Sequence, residues 1–532
     1  MTESQIETVG FRNQMRARWR AMPREQRAGV SIAATIVAAA LLFFVDHALA
    51  YAALTLSALY WIHRLPLLPW RLGAQAALVV VFLVAGPRSL AVLLAIAFAV
   101  FWIPERRRVW ALPVVAIVAA IFYPFFEDKM FTIPVFGVWP DVATGVVMII
   151  FVMMAVGLNI VVGYAGLLDL GYVAFYATGA YTAAFFASQQ FAGQKCPTKG
   201  VSIDNCTVAA VPKHNFDFGA VGLVPGGGGI HISGWLLLLM AGVVTAIFGI
   251  VIGLPTLRLR GDYLAIVTLG FGEILPQIAR NGDNFFGTGV NLTNGPNGIT
   301  PLDSIGFGNS LSSWTGGFLP SNFLTCCKAN HLGHQIQSTD VFFWVAIVLL
   351  LITVFCSLRL QYSRLGRAWI AIREDETAAA AMGIPLMRTK TWAYASGAFF
   401  GGVAGAYYAI FRSATFPGDF FFNISVFILC MVILGGMGNI WGVIVGAAFL
   451  AYLNQEGLAN TGAWINSNIH FGSWHPNIEP PLYASGIYGV IILVVMLFRP
   501  EGLIPSRRRA AELHEGVHDE PLYDATHAGA EA

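Results

Sequence analysis

Charged side chains are scarce in this chain of 532 residues. Only 11% of the residues are Asp, Glu, Lys or Arg, whereas 57% are hydrophobic, and the mean hydropathy is +0.67. A soluble domain carries about 25% charged residues, so too few charges are present to cover soluble domains of this total size. The shortage excludes an ordinary soluble protein and indicates an integral membrane protein.

Motifs that would carry catalysis are also absent. No G-x-x-x-x-G-K-[ST] sequence occurs in the chain, so we expect no nucleotide-hydrolysis site here. The His, Asp and Glu residues of the apolar runs are scattered, whereas a membrane-embedded enzyme would cluster them. We therefore predict that the chain is not an enzyme and name no catalytic residue.

Cysteine is sparse, with six residues in the chain. Cys196 and Cys206 stand close together in a long polar segment that the topology below places outside the membrane. An oxidising outer compartment would permit a disulfide between them. Zinc binding is the weaker alternative because no C-x-x-C spacing exists, and we expect no metal site.

Long apolar runs recur from about residue 30 to residue 498. A helix needs roughly 20 mostly apolar residues to cross a hydrocarbon core about 30 Å thick. The sequence therefore predicts an all-α, polytopic transmembrane bundle of about fourteen spans, within a range of about 11 to about 14. The range allows for neighbouring runs that are broken or re-entrant helices. The alternating ten-residue segments of a barrel are not seen.

Positive charge identifies one side of the membrane. Six arginines between Arg12 and Arg27 precede the first apolar run. When the spans alternate from this tail, the basic clusters 106–108, 359–390 and 507–509 fall on the same side. The positive-inside rule makes this side cytoplasmic, so we predict that both termini are cytoplasmic.

The distribution of glycine and charge divides the chain into four regions. Residues 1–29 form a basic cytoplasmic tail, and residues 30–134 form a membrane block of about five spans. Residues 135–505 form the functional core, where glycine becomes dense inside apolar segments and allows helices to break or to approach closely. We predict that residues 506–532 form a flexible polar cytoplasmic tail.

Two glycine-interrupted segments of the core, 157–184 and 425–453, share a similar glycine spacing. Each is either a tight helix–helix turn or a broken helix that lines a substrate path. A carboxylate near membrane depth, such as Asp169, normally faces protein or water. Alternatively, Asp169 lies at the cytoplasmic end and is an ordinary interfacial charge. The path candidates in these segments are Asn159, Gly163, Gly166, Asp169, Gly435 and Gly438.

A third segment, 257–299, carries Glu273 inside an apolar run. Gly270 and Gly272 flank this carboxylate in the sequence. An intramembrane carboxylate is costly and is a functional candidate for that reason. Glu273 either belongs to the translocation path, together with Gly270 and Gly272, or pairs with an arginine that stabilises the bundle.

Residues 364–391, called the docking segment below, connect two apolar runs on the cytoplasmic side. Acidic residues followed by an alanine run favour a helix that Gly383 ends. This helix is either a plain connector or, as we prefer, a docking helix for a cytoplasmic partner. Its candidate contact residues are Arg373, Glu374, Asp375, Glu376 and Gly383.

At these residues the chain resembles the permease subunits of bacterial branched-chain amino acid ATP-binding cassette (ABC) transporters, of the LivM type. The matching stretches are GLNIVVGYAGLLDLGYVAFYATGAYTAA, LRLRGDYLAIVTLGFGEI with NGPNGI, RAWIAIREDETAAAAMGI and ILGGMGNIWG. They spread over residues 145–500. The combination of four such stretches is highly specific.

The resemblance implies an inward amino acid permease in the bacterial inner (plasma) membrane. It further implies a second permease subunit, two cytoplasmic ATP-binding subunits and a periplasmic substrate-binding protein. The docking segment would then contact the ATPase subunits. ATP and Mg²⁺ would bind to those partners, and we expect no cofactor on this chain.

Two alternatives remain. A permease for urea, short amides or another class of amino acid could use the same scaffold. An ion-coupled secondary transporter is also possible, in which Glu273 or Asp169 would carry protons.

Overall fold

The computed structural model describes residues 55, 57–59, 62, 68–85, 88–130, 136–191, 215–221, 229–259, 262–283, 291–314, 320–323, 330–331, 334–468, 479–499 and 501–504. The chain forms two compact units. The first comprises Met1–Trp139 and Glu456–Pro480, and the second comprises Pro140–Gln455 and Pro481–Ala532.

The first unit contains three consecutive helices, α1 (Leu68–Ala85), α2 (Arg88–Trp102) and α3 (Glu105–Phe122). The Gln75 side chain of α1 is buried, and its Oε1 accepts a hydrogen bond of 2.7 Å from Trp102 Nε1 of α2. Phe82 and Leu94 pack in the small apolar core between these two helices. A hydrogen bond and a shared core therefore hold α1 and α2 together.

The second unit begins with α4, which leads through one π-helical turn, Ile160–Tyr164, into a glycine-containing connection. Its helices follow in chain order. They are α4 (Val142–Asn159), α5 (Val173–Phe186), α6 (Gly234–Thr256), α7 (Asp262–Arg280), α8 (Gly308–Trp314), α9 (Ser338–Gln361), α10 (Arg364–Glu374), α11 (Glu376–Ala381), α12 (Leu386–Arg412), α13 (Phe422–Gly435) and α14 (Ile440–Tyr452).

Two more helices follow a second π-helical turn, Leu453–Gly457. They are α15 (Leu458–Asn468), which belongs to the first unit, and α16 (Ala484–Phe498), which belongs to the second. Strands in the described part of the chain are short: β1 (Ala187–Ser188), β2 (Asn215–Phe218), β3 (Gly229–Ile232), β4 (Asn330–His331) and β5 (His334–Gln335).

Helix ends follow local capping chemistry. The carboxylate of Asp141 accepts a hydrogen bond of 2.7 Å from the Thr144 amide and caps α4. Gln337 and Asp340 form a reciprocal capping box at the start of α9. These side chains satisfy amides that the first turn of a helix leaves without partners.

The core of the second unit is built around α12, which packs against α4, α5 and α6. A Cβ added at Gly179 of α5 would overlap the backbone of Gly402 in α12. The hydroxyl of Tyr172 donates a buried hydrogen bond of 2.9 Å to the carbonyl of Gly397. Small residues thus bring these helices into backbone contact, as they do in membrane proteins generally.

A three-stranded sheet in the order β1-β3-β2 begins at the C-terminal end of α5, because β1 directly follows that helix. Strand β1 is antiparallel to β3, and β2 is parallel to it. The buried His231 of β3 makes a contact of 2.6 Å with Asp303 Oδ2. This pair joins β3 to the segment that precedes α8.

The all-α class is confirmed, but the number of about fourteen spans is not. Four helices in the described part of the chain are long and apolar enough to cross a membrane: Val142–Tyr164, Gly234–Thr256, Ser338–Gln361 and Pro480–Phe498. Shorter apolar helices cover Leu72–Val84, Arg88–Trp102, Pro113–Phe125, Val173–Phe186 and Phe422–Gly435. The run predicted near 30–45 lies outside the described residues.

Candidate functional site

Two glycine-containing connections meet at one end of the second unit. The first glycine link, residues 165–172, joins α4 to α5, and the second glycine link, residues 436–439, joins α13 to α14. Both contain glycines in the left-handed region, with φ of +70° at Gly166 and +87° at Gly438. These conformations favour glycine and allow each connection to turn sharply.

The first glycine link is fastened to its neighbours by backbone amides. The amide of Leu170 donates to Thr268 Oγ1 of α7 at 3.1 Å. The amide of Val173, where α5 begins, donates to the buried Ser425 Oγ of α13 at 2.8 Å. Neither partner was among the residues expected from the sequence, because a hydroxyl in an apolar run gives no signal of its distant partner.

The Asp169 carboxyl is fully buried in the first glycine link. Its Oδ1 accepts a hydrogen bond of 2.9 Å from the Gly171 amide, and Oδ2 has no hydrogen-bond partner among the described residues. Burial raises the pKa of Asp169 to about 7, against the smaller lowering effect of the Gly171 bond. This carboxyl therefore holds a proton up to near-neutral pH.

A single side chain connects the end of α4 to the second glycine link. Asn159, which is fully buried in α4, accepts a hydrogen bond of 2.9 Å at Oδ1 from the amide of Gly438. A Cβ added at Gly163 would overlap this same oxygen and would lie 2.7 Å from the Gly438 nitrogen. Asn159, Gly163 and Gly438 therefore form one tightly packed contact.

Gly435 also lies in a close helix contact. A Cβ added there would overlap the Gly442 carbonyl of α14 and lie 2.6 Å from the Val443 Cα. The described C-terminal residues pack on the same region, because the Leu503 amide donates to the Leu434 carbonyl at 2.9 Å. Gly435 is thus a packing residue of the α13–α14 pair in this conformation.

The docking segment folds into α10 and α11. Ser363 caps α10 through a hydrogen bond of 3.2 Å from the Gly366 amide. Trp369 is buried, and its Nε1 donates to the Thr389 carbonyl at 2.8 Å, near the start of α12. The indole therefore anchors α10 to the core of the second unit.

Asp375 separates the two docking helices and caps α11. Its Oδ1 accepts hydrogen bonds from the Thr377 hydroxyl at 2.6 Å and from the Ala378 amide at 3.0 Å. These bonds, the hydroxyl first, lower the pKa of the exposed Asp375 carboxyl. The charged form is therefore the one that holds the start of α11.

Gly383 ends α11 in a Schellman motif. Its φ is +82°, its amide bonds to the Ala380 carbonyl at 3.0 Å, and the Ile384 amide bonds to the Ala379 carbonyl at 3.1 Å. Met382, just before this turn, is 84% exposed. The result is a short, capped helix that presents an apolar side chain outward.

The remaining charged residues of the docking segment take three different positions. Lys390 is buried, and its Nζ makes an ion pair of 2.8 Å with Glu376 Oε1. Arg373 is half-buried, and its Nη1 donates to the Gly163 carbonyl at 2.6 Å. Glu374 is exposed. The sequence identified Arg373 and Glu376 as contact residues but gave no sign of these distant partners.

A cavity of about 300 Å³ is lined by both the docking segment and the first glycine link. Its polar lining comes from the docking segment, and its apolar lining comes mainly from the link and from the helices beside it. The lining residues are Ala165, Gly166, Leu167, Leu168, Leu259, Leu264, Ile372, Arg373, Glu376 and Lys390.

Helix α7 places its two glycines on different faces. Gly272 is buried and packs near Gly171, since an added Cβ would lie 3.3 Å from the Gly171 Cα. Gly270 has no atom within 4 Å of an added Cβ, and Glu273 is exposed. The predicted path residues therefore divide into a buried group around the glycine links and an open group on α7.

The proposed disulfide between Cys196 and Cys206 lies outside the described residues. Within the described part, no group of three or more His, Cys, Asp or Glu side chains is placed to hold a metal ion.

A family model described as "Branched-chain amino acid transport system / permease component" matches residues 142–496. The chain is 33% identical over 382 residues to the high-affinity branched-chain amino acid transport system permease protein LivM of Salmonella typhimurium. That match covers 71% of this chain and 72% of the relative. The protein of the same name from Escherichia coli strain K12 is 32% identical over 410 residues, covering 76% of this chain and 77% of the relative.

A more distant relative is the probable branched-chain amino acid transport permease protein LivM of Methanocaldococcus jannaschii. It is 26% identical over 282 residues, which cover 52% of this chain and 70% of that protein. No solved structure matches the chain.

The buried Asp169 carboxyl predicts a pH-dependent stability difference. Its pKa in the folded protein, about 7, exceeds the ordinary value of 3.8, so ionisation costs stability as the pH rises from about 4 to about 7 and no further above that. We expect Asp169→Asn, which keeps the bond from Gly171, to stabilise the protein at pH 8 by up to roughly 4 kcal/mol and to have little effect at pH 4.

Chemical unfolding of the detergent-solubilised protein at both pH values measures this difference. Asp141→Asn is the matched control, because Asp141 is an exposed helix cap. A stabilisation by Asp169→Asn that is equal at pH 4 and pH 8 would contradict the prediction.

Proposed function

This chain belongs to the family of permease components of branched-chain amino acid transport systems, and from that premise we propose how it works within an importer. It is a multi-pass membrane protein and a transport subunit of an ABC importer for branched-chain amino acids, not an enzyme. ATP is hydrolysed on other subunits of the transporter.

In our proposal the complete importer contains this chain, a second permease, two cytoplasmic ATP-binding subunits and a periplasmic substrate-binding protein. The membrane is the bacterial inner membrane, and both termini of this chain are cytoplasmic. Charge supports this orientation, since Arg359, Arg388 and Lys390 all lie at the end of the second unit that carries the docking segment. The end with strands β1–β3 then faces the binding protein.

The docking segment is the proposed contact with an ATP-binding subunit. Its two short helices are capped at Ser363 and Asp375 and end at Gly383, so they hold a defined shape without a partner. Trp369 and the Glu376–Lys390 pair fix them to the start of α12. The exposed Met382 gives a partner an apolar side chain to cover.

The exposed face of α7 is the proposed wall of the translocation path. Its residues Tyr263 and Ile266 are followed along the same face by Gly270, Glu273 and Gln277. A carboxylate facing lipid is costly, so Glu273 requires protein or water in front of it.

The exposed face of α6 shows the contrast. There the large exposed side chains are apolar, for example Leu239, Ile247 and Val251, and such a face suits lipid. We therefore assign the α6 face to lipid and the α7 face to a water-filled path that is completed by the second permease.

Substrate uptake tests the proposed function. In a strain that lacks the transporter, we expect the complete set of subunits to restore uptake of labelled leucine, and not of urea. The expectation follows because the family and the relatives that match this chain are branched-chain amino acid permeases. Restored urea uptake with unchanged leucine uptake would contradict the substrate class. Uptake that collapses with a protonophore at constant ATP would indicate an ion-coupled carrier instead.

Gly383→Pro tests the docking segment. Proline cannot adopt the φ of +82° and lacks the amide that bonds to Ala380. We expect the variant to insert into the membrane, while leucine uptake falls by about tenfold or more because α11 loses its end. Gly486→Ala is the control, since a Cβ there meets no atom within 4 Å. Normal uptake by Gly383→Pro would refute the docking role.

Cysteine accessibility tests the wall of the path. We expect Glu273→Cys to react with a charged, membrane-impermeant thiol reagent in inside-out vesicles or spheroplasts, because its face meets water. Val251→Cys, on the apolar face of α6, should stay near the background reaction of the wild-type cysteines. Equal reactivity of the two variants would overturn the assignment of the α7 face.

A further inference from the structure

Arg373 links the docking segment to α4, which is the most deeply buried of the helices long enough to cross a membrane. Its Nη1 reaches the Gly163 carbonyl at 2.6 Å across 210 residues of sequence. A cation at the carbonyl end of a helix is favourable, since the last carbonyls carry partial negative charge. The contact therefore joins the proposed ATPase-docking surface to the helix core by a charge-assisted bond.

The stem of Arg373 also lies directly on the first glycine link. A Cβ added at Gly166 would lie 2.7 Å from Arg373 Cγ and 3.1 Å from its Cβ. The positive φ of Gly166 brings the backbone to this position. The arginine thus contacts the first glycine link through its stem and the π-helical turn of α4 through its guanidinium.

The guanidinium is in addition placed at the second glycine link. A Cβ added at Gly438 would lie 3.3 Å from Arg373 Nη1 and 3.4 Å from the Gly163 carbonyl oxygen. The Gly438 amide is held by Asn159 Oδ1. One side chain of the docking segment therefore meets both helix pairs, α4–α5 and α13–α14, at the place where they touch.

The helix at this contact is locally rearranged. Residues Ile160–Tyr164 form a π-helical turn, followed by wide hydrogen bonds from the Ala165 amide to the Ile160 carbonyl and from the Leu167 amide to the Val161 carbonyl, at 3.3 and 3.1 Å. Such turns are rare in proteins and are frequent at functional sites. Beside the turn, the cavity of about 300 Å³ leaves space for the docking segment to move.

We propose that Arg373 is the positioning residue that transmits movement of the docking segment to the π-helical turn of α4 and to the second glycine link. The proposal rests on the proposed function, because it requires an ATP-binding subunit to move the docking segment. When that segment shifts, its guanidinium pulls on the Gly163 carbonyl and changes the turn that Asn159 holds against Gly438. Movement of the two helix pairs then opens or closes the path.

The test compares ATP hydrolysis with leucine uptake in proteoliposomes that contain the complete importer. Arg373→Met keeps the stem that packs on Gly166 and removes the guanidinium. We expect hydrolysis to stay within about twofold of wild type while uptake falls about tenfold or more, so that ATP used per leucine rises by about the same factor. A residue that only stabilised the fold would lower both rates together.

Two variants provide the controls. Arg367→Met removes an exposed arginine of the same helix, whose Nη1 bonds only locally to the Tyr362 carbonyl at 3.2 Å, and should leave the ratio unchanged. Arg373→Lys keeps the charge but loses the planar fork, and should restore part of the coupling. The graded order of wild type, Arg373→Lys and Arg373→Met is the expected result.

Backbone hydrogen exchange supplies a second measurement. In wild type, addition of ATP should change the exchange of residues 160–167, and in Arg373→Met this change should be lost. If the Arg373→Met complex does not assemble, Arg373→Lys carries the test, with a ratio at least about twofold above wild type expected.

The outcomes separate the two proposals. If the wild-type importer does not move leucine or retains no ATP-binding subunit, the proposed function is wrong, and the failure does not arise from the role assigned to Arg373. If wild type transports leucine but Arg373→Met lowers hydrolysis and uptake in proportion, with an unchanged exchange response, the transmission role is overturned.

Discussion

The structure depends on backbone contact between the π-helical turn of α4 and the second glycine link. A Cβ added at Gly163 would lie 2.7 Å from the Gly438 nitrogen, and Asn159 Oδ1 accepts the hydrogen bond of the Gly438 amide at this contact. Inside a membrane protein, an amide in a broken helix needs a protein partner because lipid offers none. The glycines and the asparagine together therefore make two interrupted helices compatible with burial.

Two cationic side chains of the docking segment lie near this contact, and each has a defined partner. They are Arg373, whose partner is the Gly163 carbonyl, and Lys390, whose partner is the Glu376 carboxylate. Glu273 alone of the predicted path residues combines a carboxylate with exposure on a helix face. Buried charges thus hold the docking segment against the core, and the exposed carboxylate marks the face that we assign to the path.

The sequence predicts the helix breaks and helix ends, whereas only the structure shows which distant residues pack against them. Local sequence chemistry predicts the helix in the docking segment, its end at Gly383 and the helix break near Gly163. Caps and glycines act over only a few residues, so they can be recognised in the sequence. The same reasoning grouped Asn159, Gly435 and Gly438 with Glu273 as path candidates. In the structure the first three are buried against neighbouring helices. An apolar, glycine-rich run has the same sequence pattern whether its glycines face a helix or a channel.

The sequence by itself determined the membrane environment, the all-α class, the absence of a P-loop and the family, because composition and local motifs carry these. Tertiary structure alone decided that Arg373 meets Gly163, that Asn159 meets Gly438 and that Lys390 is buried beside Glu376. Those pairs are separated by 210, 279 and 14 residues. Contacts at such separations depend on how helices pack in three dimensions, and no local pattern of residue types encodes them.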